Sequence, residues 1–226
     1  MIATSKSERD VDESGLSRSQ FVYNSLIGFI RSGVMKPGQR IREAEIAERL
    51  SVSRTPVREA MHRLITEGLL AINPIRGFAV AELNKQQVME LYALREFLEG
   101  AAARLASQHA SKLEFDALRD VLAESRRIAD DDAERHAALN KHFHARIGEA
   151  AHNRYLQRAL LLMFDSLALV PGTTFEVKGR AKQVYKEHLA IVEAMEARDA
   201  DKAEEMAREH IRRAGEVRLR LLFGRY

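Results

Sequence analysis

The sequence predicts a mainly α-helical protein, with an N-terminal winged helix-turn-helix domain followed by an all-α six-helix bundle. Three observations carry that prediction. Helix breakers are scarce, with 12 glycines and 4 prolines in 226 residues, so long helices can run uninterrupted. A β-hairpin signal occurs near residues 69–81, and helical periodicity governs the chain after it. Charge is also uneven: residues 16–80 carry ten basic and five acidic side chains, whereas residues 81–226 carry 24 of each.

Residues 1–15 (MIATSKSERDVDESG) hold too few apolar side chains to fold and read as a disordered tail. Ser17 or Ser19 then caps a first helix with Val22, Tyr23, Leu26, Ile27 and Ile30 on one face, ending near Ser32-Gly33. After the Lys36-Pro37-Gly38 turn, a short second helix covers 43–50, with Ile46, Ala47 and Leu50 inward. A third helix starts at the N-cap Ser53 and runs to Glu67, where Gly68 stops it. Its Pro56 lies in the first turn, where a missing N–H costs nothing. Two apolar runs, Leu69–Ile72 and Phe78–Ala81, flank Asn73-Pro74-Ile75-Arg76-Gly77 and form the hairpin. Residues 16–82 therefore make one domain and residues 83–226 a second. The second domain reads as six helices, at 85–108, 111–129, 132–151, 153–169, 175–197 and 199–222.

Composition excludes several classes. No cysteine means no disulfide scaffold, no iron–sulfur cluster and no thiolate metal site. The longest apolar runs, such as Ala159–Phe164, are far too short to span a bilayer. The polar first fifteen residues do not resemble a signal peptide. A soluble, cytoplasmic protein without a membrane partner is expected.

The third helix points to nucleic acid. Val57, Ala60, Met61, Leu64 and Ile65 form its inward face, leaving Arg54, Thr55, Arg58 and His62 outward, with the two arginines one turn apart. A helix N-terminus attracts phosphate, and a guanidinium can bond guanine O6 and N7 together, so this face suits the major groove. At the hairpin tip, Arg76-Gly77 places a cation where glycine permits close approach to the minor groove. Most helical arginines merely face solvent; the helix-turn-helix spacing, the local positive balance and the basic tip together favour DNA. The stretch IREAEIAERLSVSRTPVREAMHRL at 41–64, with the later GLL…P-x-R-G-F, closely resembles the signature of GntR-type bacterial transcription regulators. That resemblance implies operator contacts from Arg54, Thr55 and Arg58, a wing position for Gly77 and a phosphate-directed Ser53 cap. Some members carry a further arginine where this chain has Ala44, and Arg42 is the replacement phosphate contact. It also implies a homodimer on a short palindromic operator.

The second domain holds seven of the eight histidines: His109, His136, His142, His144, His152, His188 and His210. His188 shares a stripe with Val184, Ile191, Val192 and Met195. His210 shares one with Ala203, Met206, Ala207, Ile211, Ala214 and Val217. Asn140 and His144 flank a third stripe of Leu139, Phe143, Ile147 and Ala150. A lone inward histidine is usually a hydrogen-bonded core residue, but one divalent ion would satisfy three buried imidazoles at once. Nitrogen and oxygen donors without sulfur suit zinc, nickel, manganese or iron(II). Arg95, beside Leu91, Leu94 and Leu98, either snorkels to pair with Glu99 or grips a ligand carboxylate.

The segments LYALREFLEGAAARLA (91–106), LNKHFHARIGEAAHN (139–153) and EHLAIVEAMEARDADKAEEMAREHI (187–211) resemble the FCD effector domain of the FadR-type branch. Six helices instead of seven match its shorter, VanR-like form. The resemblance implies a metal, zinc foremost, at Asn140, His144, His188 and His210, with Asn140 standing where aspartate is usual. It also implies a small carboxylate effector held between Arg95 and the metal, and a repressor released by that effector. Two other classes were weighed. A metal-dependent helical enzyme lacks paired carboxylates, a nucleophile triad, a phosphate loop and an evident general base. A DNA-binding module whose second domain only dimerises would lack a cavity.

Overall fold

A computed structural model of the chain describes residues 17–73 and 77–224, apart from the Asn73 side chain. The tail expected at 1–15 and the wing-tip Arg76 lie outside the described residues. The chain divides into two compact units. One runs to Leu83 and takes in Asp165–Pro171; the other comprises Asn84–Phe164 and the residues from Gly172 onward.

The first unit opens with α1 (Arg18–Arg31), and Ser17, not Ser19, is its cap, accepting from the Gln20 N–H. The five apolar residues expected inward on α1 are all buried. Helix α2 (Glu43–Arg49) and helix α3 (Arg54–Thr66) follow, joined through Leu50–Ser53. Ser51 in that turn has φ 54°, a left-handed conformation that reverses the chain tightly. Val57, Ala60, Met61 and Leu64 pack against α1 and α2, while Ile65 is half-buried. Strands β1 (Leu70–Asn73) and β2 (Gly77–Val80) pair antiparallel, with Leu70 opposite Val80 and Asn73 opposite Gly77. Gly77 has φ +71°, which few side-chain-bearing residues tolerate.

The second unit holds α4 (Lys85–His109), α5 (Lys112–Ser125), α6 (Ala133–Ala150), α7 (Arg154–Leu167) as far as Phe164, α8 (Arg180–Glu196) and α9 (Ala200–Phe223). The two longest helices, α4 and α9, pack along each other, and α8 packs against α9. Reciprocal capping boxes at Asn84–Gln87 and Ser111–Glu114 start α4 and α5. The eighth helix begins five residues later than its periodicity suggests. Thr173 caps a separate 3-10 turn at Thr174–Glu176, and Gly179 at φ +82° breaks the path before α8. A core of Ala103, Ala106, Leu118, Phe143, Ile191 and Met195, among others, fills the bundle. Among the described residues, no helix is long and apolar enough to cross a membrane.

Candidate functional site

Two separate sites emerge, one in each unit. In the first, α3 turns Val57, Ala60, Met61 and Leu64 inward, so Arg54, Thr55, Arg58 and His62 are left exposed on the other side. Ser53 occupies the N-cap position, but its hydroxyl makes no capping hydrogen bond. The first-turn N–H groups of α3 therefore lack the side-chain acceptor that such a cap ordinarily supplies. Arg42 is the N-cap residue of α2, exposed and bonded to Glu45 at 2.7 Å. Gly77 is exposed at the start of β2.

Arg58 departs from the expected free cation. Its Nε and NH2 donate to Oε1 and Oε2 of Glu43 at 3.1 and 3.0 Å, a bidentate bond from α3 to α2. The Arg58 hydrogen bond holds the Glu43 carboxyl below its ordinary range, against the upward pull of burial. Nothing in helical periodicity singles out Glu43, because the two residues are fifteen apart and meet only across the turn.

In the second unit, His144 of α6, His188 of α8 and His210 of α9 are all buried. One nitrogen of each lies within 4.8 Å of the others, a convergence of the kind that can hold a metal ion. The Nε2 atoms of His144 and His188 each stand 3.3 Å from Nε2 of His210. Their opposite faces are tied to carboxylates. Nδ1 of His144 bonds Oε2 of Glu99, and Nδ1 of His210 bonds Oε2 of Glu187 at 2.7 Å. Each carboxylate is in turn bonded by an arginine: Arg95 Nε donates to Glu99 at 2.5 Å, and Arg180 NH1 to Glu187 at 3.1 Å. Two Arg–Glu–His relays thus end on the same cluster of rings. His188 has no such carboxylate among the described residues and stacks on Phe143, ring centroids 3.8 Å apart.

The relays decide the protonation of the rings. A carboxylate accepts only an N–H, so Nδ1 carries the proton in both His144 and His210 when neutral. Their Nε2 lone pairs then face each other across 3.3 Å without a proton between them. A cation resolves that conflict. Two nitrogens bound to one tetrahedral zinc at ordinary Zn–N lengths stand about 3.3–3.4 Å apart. For two of the rings, electrostatics favour the neutral, ligand-ready form. Burial, and then its histidine neighbours, push His188 well below its ordinary value. Burial also lowers His210 to about 4, although the Glu187 hydrogen bond opposes it. Burial alone would raise Glu99, but Arg95 and His144 outweigh it and hold the carboxyl at about 2.

The remaining expected residues are placed as follows. Asn140 is half-buried one turn before His144 and lines a cavity of about 20 Å³ with Ser125, His136, Tyr185 and His188. That volume admits roughly one water. Arg95 is buried against Glu99 and does not line this cavity. It therefore pairs with Glu99, but inside the bundle and without snorkelling. Arg180 is more deeply buried, and its Nε and NH2 have no hydrogen-bond partner among the described residues. Glu99, Glu187 and Arg180 were not among the residues expected at the site. A glutamate next to a histidine on one helix points away from it, and Glu187 indeed serves His210 of the neighbouring helix, not His188.

The family model for the FCD domain matches residues 90–213, and that for bacterial regulatory proteins of the gntR family matches residues 18–80. The chain belongs to the GntR family. Its FCD domain places it in the FadR-type branch. This GntR regulator is similar to the Nta operon transcriptional regulator of Aminobacter aminovorans, at 32% identity over 189 residues, 84% of this chain and 89% of that one. It is also similar to the Glc operon transcriptional activator of Escherichia coli strain K12, at 29% identity over 217 residues, 85% of each chain. Among solved structures, E. coli McbR/YncC shares the fold, with a TM-score of 0.72 over 88% of this chain and 95% of that one, at 23% identity. The matched families and relatives are transcriptional regulators, not enzymes.

Proposed function

We propose that this GntR regulator is a metal-dependent sensor of a small organic carboxylate and represses transcription until that acid binds. The observation that carries the reading is the pair of 3.3 Å Nε2–Nε2 separations at His144, His188 and His210, with carboxylates on the far side of two of the rings. These three imidazoles would hold a divalent ion, zinc foremost, with nickel, manganese or iron(II) as alternatives. Asn140, as the neutral fourth donor, would leave the ion more positive than aspartate would. When bound, the metal supplies a Lewis-acidic position for a carboxylate oxygen.

This chain's own residues do the rest. Glu99 and Glu187 orient the rings, and Arg95 and Arg180 keep both carboxylates ionised in a dry interior. Arg180 retains two donors without partners, and with Arg95 it makes the interior attractive to an acid. The adjoining cavity holds about one water, so an organic acid must spread the packing around Phe175 and Tyr185 to enter. That spreading is the conformational signal. The DNA-binding units would act as a homodimer, with two α3 helices on the half-sites of a palindromic operator. Repression fits because a dimer occupying a promoter blocks it without further contacts. The acid needs a coupling free energy of about 1–3 kcal/mol to change occupancy usefully.

The test is a thermal-shift screen of the full chain against hydroxy acids, dicarboxylates, sugar acids and amino acids. It is run with native metal, after chelation and after metal return. An acid that raises the melting temperature only with metal present, and that releases selected operator DNA, supports the reading. Stabilisation untouched by chelation would sink the metal's role. His188→Ala should abolish both metal content and the acid's effect while operator binding persists.

A further inference from the structure

Glu43 puts a negative charge on the reading side of the first unit, where phosphate binding alone would exclude one. Its side chain is 18% exposed, whereas that of Arg58 is 62% exposed. The carboxylate is therefore largely sheltered and the guanidinium projects outward. Arg54 and His62 also contribute positive potential at Glu43. A guanidinium has two edges with parallel donors, one made of Nε and NH2 and the other of NH1 and NH2. Glu43 takes up the first through both of its oxygens.

We propose that Glu43 is a specificity-determining positioning residue, which fixes Arg58 by its Nε/NH2 edge and presents its NH1/NH2 edge to a guanine in the major groove. The assignment rests on the DNA-binding reading. Two physical consequences distinguish it from a surface ion pair. First, the edge left free still carries two parallel donors, enough to bond guanine O6 and N7 bidentately. Second, the Arg58–Glu43 pair is neutral as a unit, so it adds little to counterion release or to non-specific affinity. Arg58 is thereby steered from phosphates to base edges. Arg54 is exposed one turn earlier and meets Glu43 only through space, so more of its charge remains for phosphate. The two arginines of one helix are divided in labour by a residue from another.

The experiment uses the full chain and a pool of random duplexes. The wild-type protein selects and enriches sequences, and the most enriched duplex is compared with a scrambled duplex of equal length across a salt series. Glu43→Gln should bind the scrambled duplex more tightly, steepen the salt dependence by about one unit of log–log slope, and lower the selected-to-scrambled affinity ratio roughly tenfold. Its enriched sequences should lose preference at one guanine, and Arg58→Ala should lose preference at that same base pair. Glu43→Asp should keep the wild-type salt slope, and Arg58→Lys should lose the guanine while keeping its charge. If Glu43→Gln melts too low to assay, Glu43→Asp and Arg58→Lys carry the same comparison. Unchanged base preference in Glu43→Gln, or equal weakening on every sequence with a lowered melting temperature, would overturn the assignment and leave Glu43 a merely structural link. Tighter operator binding with base preference intact would overturn it too, marking Glu43 as a competitor of DNA. Failure of the wild-type protein to enrich any sequence would instead defeat the DNA-binding reading, and this assignment with it.

Discussion

Both units contain an arginine clasped by a glutamate, and the two clasps behave oppositely. Arg58–Glu43 joins two helices at the surface, with the arginine largely in water. Arg95–Glu99 joins successive turns of α4 inside the bundle, both side chains under 8% exposed. At the surface, solvent screens the attraction, so the pair adds little to folding and serves instead to hold the guanidinium with its free edge outward. In the interior neither charge can be abandoned, because the partner left behind would be an uncompensated buried ion. The same chemistry therefore serves presentation to a partner in one unit and internal support in the other. Burial decides which.

The sharpest way to break the comparison is at Glu99. Removing its charge by Glu99→Leu strands Arg95 and frees the Nδ1 side of His144. We expect a destabilisation of about 3–5 kcal/mol in chemical denaturation. In whatever folded fraction survives, metal affinity should fall roughly 10–100-fold, since the ring loses its orienting carboxylate. A loss below 1 kcal/mol would mean that the interior relaxes around Arg95 and that the two clasps are alike.

The pH dependence of the metal-free protein tests the same interior. Burial holds His188 well below its ordinary value and His210 at about 4, while an unfolded chain titrates its histidines near 6.5. Between those limits the unfolded state binds more protons than the folded one. Stability is therefore full above about pH 6.5 and is lost as pH falls towards 4. Glu99, held at about 2, adds stability that disappears only in stronger acid. Denaturation in chelator between pH 7 and 4 should show the histidine-linked fall. A flat profile over that range would mean that the histidines are not held neutral by burial.

How much of this was legible in the sequence follows the same division between local and distant partners. The buried stripes of α1 and α3 and the inward positions of His188 and His210 depend on 3.6-residue periodicity, so they could be read directly. The start of α8 could not, because Gly179 and the Thr173-capped 3-10 turn interrupt a pattern that hydrophobicity alone continues. Among site residues, the ligand candidates were legible and their supports were not. Glu99 could be seen as a partner of Arg95 at i+4, but its second bond reaches His144, 45 positions away. Glu187 and Glu43 likewise act across helices, where sequence spacing carries no signal. Arg180 carries no signal in the sequence, because an arginine on a helix ordinarily faces water and its partner Glu187 lies seven residues on.

Asn140→Asp sharpens the comparison from the metal side. It restores one negative charge at a half-buried position one turn before His144. An added anion near a divalent ion strengthens its binding, and we expect affinity to rise roughly tenfold, measured by competition with a chelator of known strength. The same charge should weaken the response to a carboxylate effector, because the ion then offers less net attraction. A variant that binds metal no better would place Asn140 in the cavity wall and not among the donors.

The smallest expected effect falls on the exposed clasp. Arg58→Ala removes a side chain that is mostly in solvent and leaves Glu43 free to be hydrated. Folding stability should change little, as for ordinary surface substitutions, in chemical denaturation. Metal content should remain that of the parent, because none of the relay residues lies in the first unit. A large loss of stability on Arg58→Ala would show that the α2–α3 link is structural after all. Stability held constant while guanine preference disappears is the pattern that separates a clasp that aims a side chain from one that holds the fold.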